Sequence, residues 1–138
     1  MQSQGSEATR TLTTRSRLAL LLPASAYVAL VFVLGSMPTG GGPPGVSDKA
    51  LHLLAFIPLP GLSERATRLW LSDIALSRRY LISAAFASLL GGLLELWQAV
   101  LPHRSCDLLD WVSDTAGAAI GAVLGLGVYS LLNRRNLS

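Results

Sequence analysis

The residues of this chain that could do chemistry are concentrated in one stretch of an otherwise apolar sequence, from Leu93 to Gly117. Its polar side chains are Glu95, Gln98, His103, Arg104, Asp107, Asp110 and Asp114. A second short stretch, "SDKALH", adds Asp48, Lys49 and His52. Such side chains can act as acids and bases, bind a metal ion, or bind a phosphate or carboxylate. Any of these chemistries requires a fold that brings the two stretches together.

The composition predicts that this fold lies in a lipid bilayer. Only 14% of the residues are charged and the mean hydropathy is +0.48, whereas a soluble domain carries about 25% charge. Arginines lie in short clusters between long uncharged runs, so the net charge of +3 indicates membrane topology and not a nucleic-acid partner. The single cysteine, Cys106, excludes an intrachain disulfide and a metal site built on cysteines.

The uncharged runs predict an all-α membrane bundle with four transmembrane helices. We expect a membrane domain at 17–133 with helices at about 18–37, 49–63, 80–101 and 110–132. A disordered cytoplasmic tail at 1–16, a loop at "PTGGGPPG" and a cytoplasmic tail at 134–138 complete the chain. A helix of about 20 residues covers a hydrocarbon core about 30 Å thick. A cleaved signal peptide is the alternative for the first run, which is long for that role.

The second run is the short one. Its 14 residues between Lys49 and Glu64 make about 21 Å of helix, and Pro58 and Pro60 disturb its middle. A thin span, a re-entrant segment and a helix that continues into "ERATRLW" therefore stay open. Four spans with both termini inside place 9 of the 11 basic residues in the cytoplasm, with Lys49 and Arg104 outside. A re-entrant segment would spoil this bias, so we predict four spans in the inner (cytoplasmic) membrane.

The helical faces place the polar residues in the outer half of the bundle. On the fourth helix, one stripe of about 80° carries acidic residues and then glycines, the latter at Gly117, Gly121 and Gly125. This spacing is typical of closely packed membrane helices. A stripe of the third helix holds Gly91, Glu95 and Gln98, and the simplest packing sets the two stripes together. Glu95, Asp114 and His52 each lie about 6–10 Å below their helix ends, so we expect them in one layer.

Two of these carboxylates are the strongest functional candidates. A carboxylate inside the hydrocarbon costs about 2.5–3.5 kcal/mol, so Glu95 and Asp114 should face a ligand, a partner or water. The alternative is a neutral, hydrogen-bonded clasp between helices. Asp107 and Asp110 have the alternative role of helix caps, Lys49 that of an interface anchor, and Arg104 that of their partner in the loop.

The quoted stretches resemble the VanZ-like family of small bacterial membrane proteins. The pattern is Asp-Lys-x-x-His, then Glu-x-x-Gln, an Arg, an Asp, and an Asn four residues later before a glycine-rich stretch. The residues that fit it in order are Asp48, Lys49, His52, Glu95, Gln98, Arg104 and Asp110. Asp114 stands where the family pattern has Asn, and the resemblance covers about residues 16–133. It implies an envelope membrane protein linked to resistance against teicoplanin-type glycopeptides, which act on the cell wall.

Three functions are compatible with these residues. The first is binding of an amphiphile, such as a lipid-linked cell-wall intermediate or a glycopeptide, in an outward-facing polar pocket. The second is a proton- or ion-linked transporter or flippase, which would have to be a homo-oligomer because four helices are few for a path. The third is an intramembrane hydrolase or metal-dependent enzyme. No His-Glu-x-x-His or nucleophile motif is present, so we expect no metal and no cofactor.

Overall fold

The computed structural model describes residues 14–38 and 45–135, and this part of the chain is helical without any strand. Its five helices are α1 (Thr14–Gly35), α2 (Asp48–Phe56), α3 (Leu59–Thr67), α4 (Leu76–Gln98) and α5 (Leu108–Arg135). The all-α class predicted from the sequence is confirmed. Three helices, α1, α4 and α5, are long and apolar enough to cross a membrane. Most of the predicted N-terminal tail, the "PTGGGPPG" loop and the end of the C-terminal tail lie outside the described residues.

The second apolar run, predicted as a helix at about 49–63 whose middle Pro58 and Pro60 disturb, is divided at that point into two short helices. Ser47 caps α2, where its hydroxyl accepts from the N–H of Ala50 at 3.2 Å. The helix stops after Phe56 because Pro58 has no N–H to donate and its ring collides with the preceding turn. Pro60 lies in the first turn of α3, where a missing N–H is harmless. The chain thus resumes as a helix through Glu64, which the prediction had placed outside the apolar run.

The long helices also extend further into polar sequence than predicted. α1 begins at Thr14, inside the predicted tail, and α5 reaches Arg135. α4 begins at Leu76 and includes Arg78 and Arg79 in its first turns. The Arg79 guanidinium folds back onto the carbonyls of the loop before the helix, at 3.2–3.5 Å. That contact stabilises a helix start in charged sequence, where hydropathy alone predicts none.

The two ends of the bundle are defined by polar contacts between helices. At one end Gln98 of α4 donates to the carbonyl of Gly35 on α1 at 2.9 Å, and Lys49 of α2 reaches Asp107 before α5. We call this the pocket end. At the other end Glu64 of α3 contacts Arg79 of α4, and we call this the clasp end. The segment α2–α3 therefore runs between the same two ends as α4 and α5.

Glycines of α5 allow α2 to approach closely. A Cβ at Gly117 would overlap the carbonyl of Leu53, and one at Gly121 would overlap the carbonyl of Ile57. Gly125, lower on the stripe, faces the ring of Tyr80 on α4. The expected pairing of this stripe with the stripe of α4 is thus wrong at Gly117 and Gly121. The reason is that the short α2 lies on the side-chain-free surface of α5, which only glycine leaves open.

The apolar core lies between the two polar ends. Phe56 and Leu59 flank the break between α2 and α3 and are both 1% exposed. They pack with Ala87 and Leu94 of α4 and Ala118 of α5, with Val31 of α1 completing the cluster. Since the side chains of Phe56 and Leu59 fill the centre of the bundle, the apolar core separates the polar residues of the pocket end from those of the clasp end.

Candidate functional site

The centre of the pocket end is a buried layer of one imidazole and two carboxylates, each from a different helix. His52 of α2, Glu95 of α4 and Asp114 of α5 have 6%, 3% and 0% of their surface exposed. His52 Nδ1 lies 3.0 Å from Asp114 Oδ1 and 3.8 Å from Glu95 Oε1. The three side chains expected in one layer do meet, because each lies about one to two turns inside its helix end.

Each carboxylate of this layer retains one oxygen without a hydrogen-bond partner among the described residues. Glu95 Oε2 accepts from the backbone N–H of Asp107 at 2.8 Å, whereas Oε1 is unpartnered. Asp114 Oδ1 is paired with His52, whereas Oδ2 is unpartnered. Buried acceptors are normally satisfied, so two spare oxygens at one place are unusual. The layer has capacity for a proton, a cation or a ligand donor.

Gly91 makes room for Asp114. A Cβ at this position of α4 would lie 2.7 Å from Asp114 Oδ2 and 2.8 Å from Asp114 Cβ. Such distances are shorter than van der Waals contact, so any larger residue would displace the carboxylate. Gly91, predicted as a packing residue, therefore lies directly against the polar layer.

An ion-pair bridge lies above the buried layer. Lys49 Nζ donates to Asp107 Oδ2 at 2.7 Å and to Asp110 Oδ1 at 3.2 Å. Asp107 also caps α5 through the N–H of Leu109. These hydrogen bonds, first that from Lys49 and then that from Leu109, lower the pKa of Asp107 below its ordinary value. The bridge ties the start of α2 to the start of α5.

Arg104 does not join this bridge, contrary to the pairing considered from the sequence. Its Nε donates to the carbonyl of Gly35 at 3.0 Å and its Nη1 reaches Asp48 Oδ2 at 3.4 Å. Gln98 donates to the same carbonyl. The side chain of Arg104 is only 11% exposed. It thus links the loop after α4 to the end of α1 and the start of α2.

A groove between α1 and α2 leads to these residues. It has a volume of about 500 Å³ and is lined at its polar end by Asp48, His52 and Arg104. Its remaining wall is apolar, made by Tyr27, Leu30, Val31, Leu34, Leu54 and Leu94, among others. Leu30, Leu34 and Leu54 have about half of their surface exposed. The groove therefore opens sideways through a surface of the kind that faces lipid.

Two polar contributions were missed by the sequence analysis. Tyr27 of α1 donates to the carbonyl of Ala55 at 3.0 Å and so fixes the groove wall. Glu64 is 2% exposed and accepts from Arg68 Nε at 2.8 Å and Arg79 Nε at 3.1 Å. The spacing of Glu64 and Arg68 is a recognisable helical ion pair, but the contact with Arg79 follows only from the tertiary fold. His103 and Cys106 of the loop between α4 and α5 are exposed, and the imidazole contacts the carbonyl of Ser36.

A family model described as VanZ/LLP1 matches residues 2–132. The chain belongs to the VanZ/LLP1 family. The match covers all five helices except the last residues of α5, and so includes both ends of the bundle. No curated protein and no solved structure matches the chain. With three apolar helices of spanning length, this VanZ/LLP1 chain is a membrane protein, and its resemblance to the VanZ-like family is confirmed.

Proposed function

We propose that this VanZ/LLP1 protein binds an anionic amphiphile, with the head group at Arg104 and the tail along the groove. The groove carries the proposal, because its apolar wall leads directly to polar side chains. A ligand that enters from the bilayer fits a groove open towards lipid better than a solute that enters from water. A lipid-linked cell-wall intermediate is a ligand of this chemistry.

Arg104 is the residue that suits the head group. A guanidinium has five N–H donors and binds phosphate or carboxylate in a bidentate manner. Among the described residues, two contacts engage Arg104, to Gly35 and to Asp48. The remaining donors are available to a ligand, and the 3.4 Å contact with Asp48 is long enough to be exchanged for a stronger one.

The test is a binding titration with the purified full-length protein in nanodiscs. A polyprenyl phosphate is compared with the neutral polyprenol that has the same tail, so that the head group alone differs. We expect the phosphate to bind more tightly, and Arg104→Gln to weaken its binding about 10-fold or more, since a hydrogen bond to a charged group contributes about 1.5–3 kcal/mol. Arg68→Gln, at the clasp end, is the matched control. Equal binding of phosphate and alcohol would reject the role of Arg104.

The same proposal includes the topology of four spans with both termini in the cytoplasm of the inner membrane. It is supported by the path of α2–α3 between the pocket end and the clasp end. The lone cysteine provides the test, because Cys106 is exposed in the loop at the pocket end. A membrane-impermeant maleimide should label Cys106 in intact spheroplasts. Ser72→Cys in a Cys106→Ser background should react only after permeabilisation, and the reverse pattern would contradict the topology.

A role in glycopeptide resistance would follow from binding of a cell-wall intermediate at the outer face. Expression of the wild-type chain should then raise the teicoplanin concentration needed to stop growth, and Arg104→Gln should abolish the increase. An increase that survives Arg104→Gln would separate resistance from head-group binding.

A proton- or ion-linked transporter or flippase, working as a homo-oligomer, is the second candidate. The observation that favours it is the burial of His52, Glu95 and Asp114 with two unpartnered oxygens, because ionisable groups inside membrane bundles often form proton or ion pathways. Transport of a fluorescent lipid phosphate in liposomes, driven by a pH gradient, tests it. Transport that is unchanged by Glu95→Gln would remove this candidate.

A further inference from the structure

The buried layer of His52, Glu95 and Asp114 has more carboxylates than cationic partners. Two carboxylates are withdrawn from solvent beside one imidazole, and the adjacent Asp110 is also buried, at 5% exposed. The single lysine of the sequence, Lys49, contacts Asp107 and Asp110 and not these carboxylates. Buried charges are normally paired or bind a metal ion. An imidazole alone balances at most one of the two negative charges.

The geometry of the layer fits a small dication. The ligand atoms of His52, Glu95 and Asp114 all lie within 4.8 Å of one another. Adjacent ligands of a first-row dication with bonds of about 2.0–2.2 Å lie about 3.0–3.5 Å apart. The distances from His52 Nδ1, 3.0 Å to Asp114 and 3.8 Å to Glu95, match this spacing after a shift of a few tenths of an ångström. The unpartnered Glu95 Oε1 is the oxygen that faces the imidazole.

Surrounding groups already orient the ligands, as they do around known metal centres. The N–H of Asp107 holds Glu95 Oε2, which turns Oε1 towards His52. Gly91 leaves the space that the Asp114 carboxylate occupies. The N–H of Asp107 therefore orients the Glu95 carboxylate, and Gly91 leaves room for the Asp114 carboxylate.

We propose that His52, Glu95 and Asp114 bind one divalent cation of the Zn²⁺ or Mn²⁺ class. One nitrogen and two carboxylate oxygens favour such an ion over Mg²⁺ or Ca²⁺, which prefer oxygen ligands alone. Asp114 is essential to the set, because an Asn at that position would remove one of the two charges. The site departs from the absence of metal expected from sequence motifs, since its ligands come from three helices. It does not rest on the proposed amphiphile.

The test begins with the full-length protein in detergent, stripped with EDTA and desalted. Zn²⁺ and, separately, Mn²⁺ are titrated in the presence of excess Mg²⁺, and bound metal is counted after gel filtration. We expect one equivalent in the wild type and at least a 10-fold weaker affinity in Glu95→Gln and Asp114→Asn. Asp73→Asn, an exposed carboxylate, and His103→Ala, the other histidine, are the matched controls and should bind as the wild type does.

A spectroscopic measurement keeps the proposal testable if the pocket variants fail to fold. Mn²⁺ bound to the wild type should show coupling to a directly bound histidine nitrogen by pulsed electron paramagnetic resonance, and His103→Ala should retain that coupling. Substoichiometric metal in the wild type, equal affinity in the folded variants, or bound Mn²⁺ without nitrogen coupling would each overturn the proposal. In those cases the unpartnered oxygens of Glu95 and Asp114 bind protons and not a metal ion. The binding of polyprenyl phosphate is tested independently of this result.

Discussion

The two ends of this bundle differ in how many cationic partners their buried carboxylates have. At the clasp end, one oxygen of Glu64 accepts from two guanidiniums, those of Arg68 and Arg79. At the pocket end, Glu95 and Asp114 share one imidazole and keep two oxygens without a partner in the described part of the chain. A buried carboxylate whose charge is matched holds helices together. One whose charge is not matched keeps the capacity to bind, and that capacity distinguishes a candidate site from a structural contact.

Removal of one of the two guanidiniums that pair with Glu64 at the clasp end should have the largest effect on stability. Arg79→Ala deletes the Glu64 contact and the hydrogen bonds to the loop before α4. Breaking a buried pair by removing one partner costs about 3–5 kcal/mol, and since Arg68 remains we expect about 3 kcal/mol. The free energy of unfolding in detergent measures this. Arg78→Ala, at the exposed neighbouring position, is the control, and an equal loss there would contradict a specific clasp.

A methyl group added at Gly91 should lower the free energy of unfolding by less than Arg79→Ala does. It should also disturb the buried layer of His52, Glu95 and Asp114. Gly91→Ala places Cβ within 2.7 Å of Asp114 Oδ2, and overpacking typically costs about 1–3 kcal/mol. Gly92→Ala is the matched control, because its Cβ would find the Trp111 side chain at an ordinary 3.5 Å. We expect Gly91→Ala alone to lose both stability and bound Zn²⁺. Equal melting temperatures of the two variants would show that α4 and α5 can separate at no cost.

The ion-pair bridge above the layer should contribute less than either buried feature. Lys49 and Asp107 have side chains that are 43% and 40% exposed, so water screens their attraction. Asp110, the second partner, has a side chain that is only 7% exposed, so most of the loss that we expect comes from the Lys49–Asp110 pair. Lys49→Met should therefore lower the melting temperature by less than Gly91→Ala does, and Lys49→Arg should restore most of the loss. If Lys49→Met lowers the melting temperature as much as Arg79→Ala does, the ion-pair bridge stabilises the fold as strongly as the clasp end. The two ends then do not differ in their contribution to stability.

Neutralising an unmatched carboxylate should have the smallest effect on stability. Glu95→Gln keeps an oxygen for the N–H of Asp107 and removes a buried charge, so with EDTA present we expect the free energy of unfolding to stay within about 1 kcal/mol or to rise. The same change at the clasp end, Glu64→Gln, should lower it. Thermal unfolding of both variants side by side decides the matter, and a larger loss for Glu95→Gln would reverse the assignment of the two ends.

The sequence determined the fold class and the membership of the polar layer. Uncharged runs of spanning length predict helices in a bilayer, and helical periodicity with distance from the helix ends places His52, Glu95 and Asp114 at one depth. These inferences hold because a regular helix fixes the rise and angle per residue, so that spacing along the chain becomes position in space.

Only the tertiary structure decided which groups become partners. The chain resumes as α3 after the break at Pro58, which brings Glu64 to Arg79. Gly117 and Gly121 of α5 contact Leu53 and Ile57 of the second apolar run, whereas Gly125 contacts Tyr80 of α4. Lys49 takes the acidic partners, while Arg104 turns to Gly35 and Asp48. Each choice depends on how helices are rotated and packed against one another, which involves residues far apart in the chain. Hydropathy and periodicity describe one helix at a time, and so they cannot distinguish a matched buried charge from an unmatched one.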